Sequence, residues 1–272
     1  MLRGLLGKGP VAVHGTGPRI RRGLLAAALA WTGLAAQAAD LQVNPILVEF
    51  AAGEKSQAVW LTNTGTDTLR AQVRVSGWTQ QDGQEQLAPS RDLIPSPAIL
   101  DVPAGEQQLV RLIRPDNAPL QTEAAYRITV DELPRDRAAG QDPGLQFLLR
   151  YSVPVFVLAE GTSPLSPSRQ TGATPPPPPA LAATLQVRDA GSVLSVANPG
   201  RQRVRLSGLA WVDVSGQRTD LIPGLLGYVL AGQRMQWPLP LSEQVIARGG
   251  SMRVRFNDDP SERILPLDGT GG

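Results

Sequence analysis

Short runs of alternating apolar and polar residues, separated by turn residues, dominate the chain from Leu41 onward. The run at residues 69–78 (LRAQVRVSGW) is the clearest, because Arg70 and Arg74 alternate there with apolar side chains. A period of two is typical of a β-strand with one buried face. About seven such runs lie within residues 40–160, with a turn signal roughly every 8–12 residues, and this spacing favours an antiparallel β-sandwich.

Two turns between these runs are marked by their residue types. Asp82-Gly83 favours the positive φ angles of a tight hairpin. Pro103-Ala104-Gly105 divides residues 98–115 (AILDVPAGEQQLVRLIRP) into two strands. No segment has the pattern of a long amphipathic helix, so the predicted fold class is all-β.

The stretch at residues 145–158 (LQFLLRYSVPVFVL) predicts a strand that is apolar on both faces, and it follows another strand at residues 126–134 (YRITVDELP). Polar residues interrupt only one of its faces. The uninterrupted face consists of Leu145, Phe147, Leu149, Tyr151, Val153, Val155 and Val157. A strand of this kind must be covered on both sides. If its own domain covers only one face, the other is available to a partner strand or sheet.

A second β-domain follows a linker. Residues 161–180 are rich in Pro, Ser, Thr and Gly and include a run of five prolines, which predicts a stiff interdomain spacer rather than a binding motif. Alternation resumes at residues 191–198 (GSVLSVAN) and 251–256 (SMRVRF). We therefore expect an N-terminal domain at residues 40–160 and a smaller C-terminal β-domain at residues 181–272.

The excess of basic residues is confined to the N-terminal segment. Residues 1–39 hold five of the 26 Lys and Arg residues and no acidic residue, while the remainder holds 21 basic and 24 acidic residues. Arginines, then an apolar run of about 12 residues, then Ala36-Gln37-Ala38 form the pattern of a secretory signal cleaved near Ala38 or Ala39. The apolar run is shorter than the roughly 20 residues that span a bilayer. The sequence predicts export with cleavage of the signal, no stable membrane insertion and no basic surface for nucleic acid.

Few side chains used in catalysis or metal binding occur beyond this signal. The chain has no cysteine, and its one histidine, His14, lies within the signal. This excludes Ser-His-Asp and Cys-His catalysis, and zinc sites built on Cys or His. The adjacent acids Asp131-Glu132 and Asp258-Asp259 would point to opposite faces of a strand, so neither pair suits glycosidase chemistry. We expect no enzyme activity, no cofactor and no metal site.

Four tryptophans leave a second class of function open: Trp60, Trp78, Trp211 and Trp237. Tryptophans of β-sandwiches usually belong to the core, but their amphipathic rings also suit binding surfaces. The alternative hypothesis is an exported two-domain adhesin or carbohydrate-binding protein. It predicts an open pocket lined by tryptophan and a strand edge that is covered.

Several segments, in their order and spacing, resemble the periplasmic pilus-assembly chaperones of chaperone–usher systems, especially their archaic-type branch. Residues 41–65 (LQVNPILVEFAAGEKSQAVWLTNTG) resemble the first two strands of this family. Residues 126–134 and 145–157 resemble its F1 and G1 strands. In the second domain, residues 196–200 (VANPG) and 225–233 (LLGYVLAGQ) resemble the family's Asn-Pro-Gly turn and its Gly-Tyr-Val-Leu segment.

The resemblance implies two immunoglobulin-like domains in tandem and binding by donor-strand complementation. A pilin subunit lacks its last strand, and the chaperone's G1 strand fills the resulting groove with main-chain hydrogen bonds and alternate side chains. The implied partners are pilin subunits and an outer-membrane usher, and the exposed edge would also permit self-association. The implied donor side chains are Leu145, Phe147, Leu149 and Tyr151.

The resemblance fails at two charged positions. Better-known members hold the subunit's C-terminal carboxylate with an arginine on the first strand and a lysine on G1, but the aligned residues here are Leu47 and Ser152. A guanidinium can donate two parallel hydrogen bonds to a carboxylate. The candidate replacements, in or beside predicted strands, are Arg111, Arg127 and Arg150.

Glu132 matches the family's strand-end glutamate, which is linked to an interdomain salt bridge. A half-buried carboxylate needs a partner. The resemblance therefore implies that Glu132 pairs across the two domains.

Overall fold

The computed structural model describes residues 40–116, 118–134, 147–165, 178–188 and 191–268. These residues form two immunoglobulin-like β-sandwiches in tandem, as predicted. Within the described ranges there are seventeen strands and one helix of five residues. The predicted signal at residues 1–39 lies outside them.

The first sandwich consists of ten strands in two sheets. The strands are β1 (Leu41–Asn44), β2 (Val48–Phe50), β3 (Ser56–Asn63), β4 (Leu69–Gln81), β5 (Gln84–Pro89), β6 (Ile94–Ser96), β7 (Ile99–Val102), β8 (Gln107–Ile113), β9 (Ala124–Leu133) and β10 (Arg150–Val157). One sheet has the order β1-β3-β8-β6, and the other has the order β2-β10-β9-β4-β5 with β7 also paired to β4. The core between the sheets includes Phe50, Leu61, Val110 and Ile128, all fully buried.

The predicted alternation of β4 is confirmed: one face of the strand packs in the core and the other faces solvent. Leu69 and Val73 are buried while Arg74 faces solvent. At the end of β4 the chain turns into β5 through Asp82 and Gly83, with φ angles of 53° and 76°. These are the positive values that an Asp-Gly turn favours.

Residues 41–50 form two strands in different sheets rather than one continuous run. β1 pairs antiparallel with β3, whereas β2 pairs parallel with β10. Pro45 separates them, and a proline has no N–H with which to continue the ladder of β1. The chain therefore crosses between the sheets here, and β2 covers part of one edge of β10.

The second sandwich is smaller and contains the helix. Its elements are β11 (Ala182–Arg188), β12 (Gly191–Ala197), β13 (Val204–Asp213), β14 (Arg218–Val229), β15 (Arg234–Leu239), α1 (Glu243–Ala247), β16 (Gly250–Phe256) and β17 (Arg263–Leu265). The sheet orders are β11-β12-β15 and β14-β13-β16-β17. Its core includes Leu185, Leu194, Leu206 and Val254. Over the ranges that the structure covers, no helix is long and apolar enough to cross a membrane.

A third apolar cluster joins the two sandwiches. Trp78 and Phe156 come from the first sandwich, and Tyr228 and Leu230 come from the second. The rings of Trp78 and Tyr228 meet edge-on with their centroids 5.6 Å apart, a favourable arrangement of aromatic rings. The second apolar face of the strand predicted at residues 145–158 is thus covered at Phe156 by the other sandwich.

Candidate functional site

β10 is paired along one edge only for most of its length. β9 pairs with it from Arg150 to Val157, whereas β2 reaches only Val155 to Val157 on the other edge. Among the described strands, none pairs with that second edge from Arg150 to Pro154. An unpaired edge presents N–H and C=O groups to which another chain can add a strand.

The predicted donor side chains lie in different environments. Leu145 lies outside the described residues. Phe147 is 80% exposed, while Leu149 is half-buried and packs against the core of the first sandwich. Tyr151 is held by its own sandwich, because it packs against the same core and its hydroxyl donates a hydrogen bond to the carbonyl oxygen of Leu41. Among the described donor candidates, Phe147 is therefore the one most open to a partner, and the roles of Leu149 and Tyr151 as donors stay predictions.

Arg111 does not lie near β10. It is on β8, opposite Ala58 of β3 and Ser96 of β6, in the sheet that does not contain β10. Its neighbours Val110 and Leu112 face the core, so Arg111 points away from it, on the far side of the sandwich. Its position corrects the expectation that Arg111 could serve as a carboxylate anchor beside the donor strand.

Arg150 lies at the start of β10 but is already paired. It and Arg74 both donate to the carboxylate of Asp131, with 2.6 Å between Arg74 Nη2 and Asp131 Oδ2. Burial alone would raise the pKa of Asp131, but the hydrogen bonds from the two arginines outweigh it and the pKa is lowered. Arg150 is 70% exposed, so the ion pairs that it and Arg74 make with Asp131 lie on the outer face of the sheet, where solvent reaches them.

Arg127 is placed at the junction of the two sandwiches. It lies opposite Pro154 in the ladder of β9 and β10. Its guanidinium carbon is 3.9 Å from the ring centroid of Trp78, and its side chain is 18% exposed. Glu85 on β5 pairs with it at 3.3 Å. Burial raises the pKa of Tyr228, and the charge of Arg127 is among those that oppose this shift.

A buried ion triad connects the sandwiches. Arg203, just before β13, contacts the carboxylates of Glu49 on β2 and Glu123 just before β9. Its Nη1 is 2.6 Å from Glu123 Oε2, and its backbone N–H donates to Glu123 Oε1 at 3.0 Å. The guanidinium also lies over the ring of Phe156, 3.6 Å from the centroid. Burial raises the pKa of Glu123, although the charge and hydrogen bonds of Arg203 act to lower it.

Glu132, which the resemblance places in the interdomain salt bridge, forms no ion pair with the second sandwich among the described residues. It lies near the end of β9, whereas Glu123 precedes the start, and a strand of this length separates them by about 30 Å. The backbone N–H of Glu132 donates to the carbonyl of Leu149, and its Oε2 lies 3.4 Å from the backbone N of Leu149. Glu132 holds the chain that leads into β10, and Glu49 and Glu123 are the interdomain carboxylates.

The four tryptophans do not gather at one surface. Trp78 and Trp211 are buried in the junction and in the second core. Trp237 packs beside that second core, and Trp60 is 37% exposed on the first sandwich. The tryptophan-lined pocket of the adhesin hypothesis is not formed by these four residues.

Sequence reasoning missed Glu123 and Arg203. Neither residue lies within an alternating run, because each stands one position before its strand. The signal that could have found them is a charged residue directly before an otherwise apolar strand, where the side chain lies at a domain edge. Two such residues of opposite charge, one in each domain, are candidates for an interdomain pair.

Two immunoglobulin-like sandwiches in tandem, with an unpaired strand edge on the first, are the architecture of pilus chaperones, and the comparisons with known proteins agree. Residues 40–162 match the model described as pili and flagellar-assembly chaperone, PapD N-terminal domain. Over these residues the chain matches a domain of the pilus-assembly chaperones, which confirms the resemblance that the sequence had indicated. Members of this family are non-enzymatic assembly factors of the periplasm.

Solved structures of pilus chaperones share this fold. The chain is 26% identical to the chain of a complex between the chaperone CsuC and the tip adhesion subunit CsuE, from archaic chaperone-usher Csu pili of Acinetobacter baumannii. That match covers 84% of this chain and 97% of the other, with a TM-score of 0.61.

Two further structures are more distant and support the fold alone. One contains the SafA pilin with the SafB chaperone of Salmonella enterica, with 15% identity, coverage of 85% and 99%, and a TM-score of 0.54. The other is the E. coli chaperone DraB, with 14% identity, coverage of 84% and 96%, and a TM-score of 0.53. No curated protein matches the sequence significantly.

Proposed function

We propose that this protein is an exported periplasmic chaperone that stabilises pilin subunits by donor-strand complementation and delivers them to an outer-membrane usher. Two features found together carry the proposal: one edge of β10 has no partner strand from Arg150 to Pro154, and Phe147 just before that edge is 80% exposed. A large aromatic side chain in this position has no partner in its own core. It is suited to fill a groove in a subunit that lacks a strand.

The donor surface consists of Leu145, Phe147 and Leu149 in this proposal. Their spacing of two places them on one face of an extended chain. Burying one such side chain contributes roughly 1.5–3 kcal/mol, so three of them stabilise a subunit that cannot close its own core. The exchange of one strand for another would then release the subunit without nucleotide or covalent chemistry.

Arg127 is the anchor that we propose for the subunit's C-terminal carboxylate. Leu47 occupies the position of the family's first-strand arginine, and it packs against the same junction cluster over which Arg127 lies. In this proposal the charge is supplied instead from β9, two strands away from β2 in the same sheet. Trp78 covers one face of the guanidinium and Glu85 contacts it at 3.3 Å, so an incoming carboxylate would compete with an exposed partner rather than a buried one.

The test is periplasmic co-expression with a pilin encoded nearby, followed by co-purification. Changing Leu145, Phe147 and Leu149 together to Ser should abolish the complex while the circular dichroism spectrum is retained. Val214→Ser, at a residue that is 79% exposed on the second sandwich, is the matched control and should leave binding intact. A pilin that is soluble and monomeric without the chaperone would refute the proposed function.

The anchor has its own test. Arg127→Met should weaken the complex by roughly tenfold or more, the size of a charge-assisted hydrogen bond to a carboxylate. Arg111→Met, on the far sheet, is the control and should have no effect. Equal losses for the two variants would show that neither arginine is the anchor.

A further inference from the structure

The hairpin between β4 and β5 is bound to the second sandwich. At its turn, the carbonyl oxygen of Gly83 accepts a hydrogen bond from the backbone N–H of Gln236 at 3.0 Å, and Gly83 forms a parallel bridge with Met235. β15, which contains both of these partners, is the edge strand of its three-stranded sheet. The turn therefore extends that sheet by one bridge, across the domain boundary.

Gln80, three residues before Gly83, uses both ends of its side-chain amide and its backbone N–H in this contact. Its Nε2 donates to the carbonyl oxygen of Tyr228 at 2.7 Å, and its Oε1 accepts from the backbone N–H of Leu230 at 2.9 Å. Its backbone N–H donates to Oε1 of Gln233 at 2.5 Å. The residue is only 6% exposed. The amide thus bonds two backbone groups of the second sandwich, the C=O of Tyr228 and the N–H of Leu230 two positions further on.

Few side chains could replace this amide. A carboxylate lacks the donor for Tyr228, and an aliphatic side chain lacks both donor and acceptor. Either change would leave a buried backbone group at the end of β14 without a partner. A buried glutamine bonded in this way fixes the position of β14 against β4.

These contacts lead directly to the proposed carboxylate anchor. Trp78 and Gln80 are two residues apart on β4 and both are buried, so they share a face. Trp78 contacts the ring of Tyr228 and supports the guanidinium of Arg127 on its own ring. Gln80 holds the backbone of Tyr228 by a hydrogen bond, and the ring of Tyr228 packs against the ring of Trp78. The position of Trp78 in turn determines where the guanidinium of Arg127 can lie.

We propose that Gln80 is a positioning residue, which holds the junction so that Arg127 is placed to receive the carboxylate of a bound subunit. This inference rests on the proposed function, and specifically on Arg127 as the anchor. Gln80 does not touch the subunit. It acts through the ring pair of Trp78 and Tyr228.

The experiment compares two forms of the co-expressed pilin subunit, one with its natural C-terminus and one extended by two glycines, which moves the carboxylate. The wild-type chaperone should bind the extended form roughly tenfold or more weakly, the size expected for a charge-assisted contact. Gln80→Met keeps the length of the side chain but removes both hydrogen bonds. For this variant the ratio between the two forms should fall close to one. Gln86→Met, on the exposed strand β5 of the same hairpin, should retain the full ratio.

The ratio separates positioning from a general loss of stability. A merely structural role would weaken both subunit forms equally and leave the ratio unchanged, and that result for Gln80→Met would overturn the inference. If Gln80→Met does not fold, Gln80→Glu replaces it, because this variant keeps the acceptor for Leu230. An unchanged binding ratio for Gln80→Glu would likewise overturn the inference. A wild-type chaperone that does not distinguish the two forms also overturns it. Failure of the wild type to bind either form would instead refute the proposed function.

Discussion

Arg203→Met provides a sharp test of how the two sandwiches are joined. The substitution removes the guanidinium but keeps an apolar side chain of similar length over Phe156. It leaves Glu123, whose side chain is 1% exposed, and Glu49, 10% exposed, without their shared cation. Breaking a buried pair by removal of one partner commonly costs about 3–5 kcal/mol, because the remaining charge is desolvated.

The cost of this substitution should depend on pH. In the folded protein burial already raises the pKa of Glu123. The charge and side-chain hydrogen bond of Arg203, which act to lower this pKa, are lost in the variant, while the hydrogen bond from the backbone N–H of residue 203 is kept. Without Arg203 the folded-state pKa of Glu123 rises further above its unfolded value, so the folded variant binds a proton more tightly than the unfolded chain. The stability of the variant therefore falls as the pH rises from the unfolded-state pKa of Glu123 to its folded-state pKa. The fall is about 1.4 kcal/mol for each unit of additional pKa shift. We expect the variant to be closest to wild type at about pH 4 and furthest from it at pH 8.

Urea unfolding at several pH values, followed by tryptophan fluorescence, measures this difference because Trp78 lies in the junction cluster. Arg218→Met is the control, since Arg218 and its partner Glu262 are 42% and 32% exposed. An exposed pair contributes only about 0.2–1 kcal/mol. A loss for Arg203→Met that is as small as the control's, or that is the same at pH 4 and pH 8, would refute the account of the triad.

Three further predictions address the core, the donor strand and the surface network. Leu61→Ala, at a fully buried site in the first core, should lower the free energy of unfolding by about 2–5 kcal/mol, and a loss below 1 kcal/mol in urea unfolding would contradict the packing described. Phe147→Ser should change that free energy by less than about 0.5 kcal/mol, because the side chain is 80% exposed, yet it should weaken pilin binding in co-purification. Asp131→Asn should lower stability by about 1 kcal/mol at pH 7. Since the folded pKa of Asp131 is lowered, its contribution is present above about pH 4 and disappears as the pH falls through the folded pKa, so in thermal unfolding the difference between the variant and wild type should shrink as the pH is lowered below about 4.

Alternation along the chain was sufficient to predict the fold class and most strands of the first sandwich. The buried positions of β4, the hairpin at Asp82 and Gly83, and the strands on both sides of Pro103-Ala104-Gly105 all follow local rules. The division of residues 41–50 between two sheets was not predicted, because the choice of sheet depends on distant partners in β3 and β10.

The charged residues of the site were predicted less well than the strands. Alternation assigns Arg111 to an outer face but does not say which sheet carries it, and that sheet is the one without β10. Glu132 was assigned to the junction from its position at a strand end, but the junction lies at the opposite end of β9. The alternation of apolar and polar residues shows which face of a strand a side chain lies on, but not which distant residue it contacts. Pairs such as Glu123 with Arg203 can therefore be identified only from the three-dimensional structure.

The partial cover of β10 by β2 has a geometric consequence for any strand that binds there. A strand added from the side of Phe147 can continue along the free edge only as far as Pro154, because from Val155 onward β2 already occupies it. From Phe147 to Pro154 this edge offers about eight residues, or roughly 27 Å of extended chain. β2 therefore fixes where one end of the paired segment must stop, whatever the sequence of the incoming strand, and this end lies beside the junction that carries Arg127.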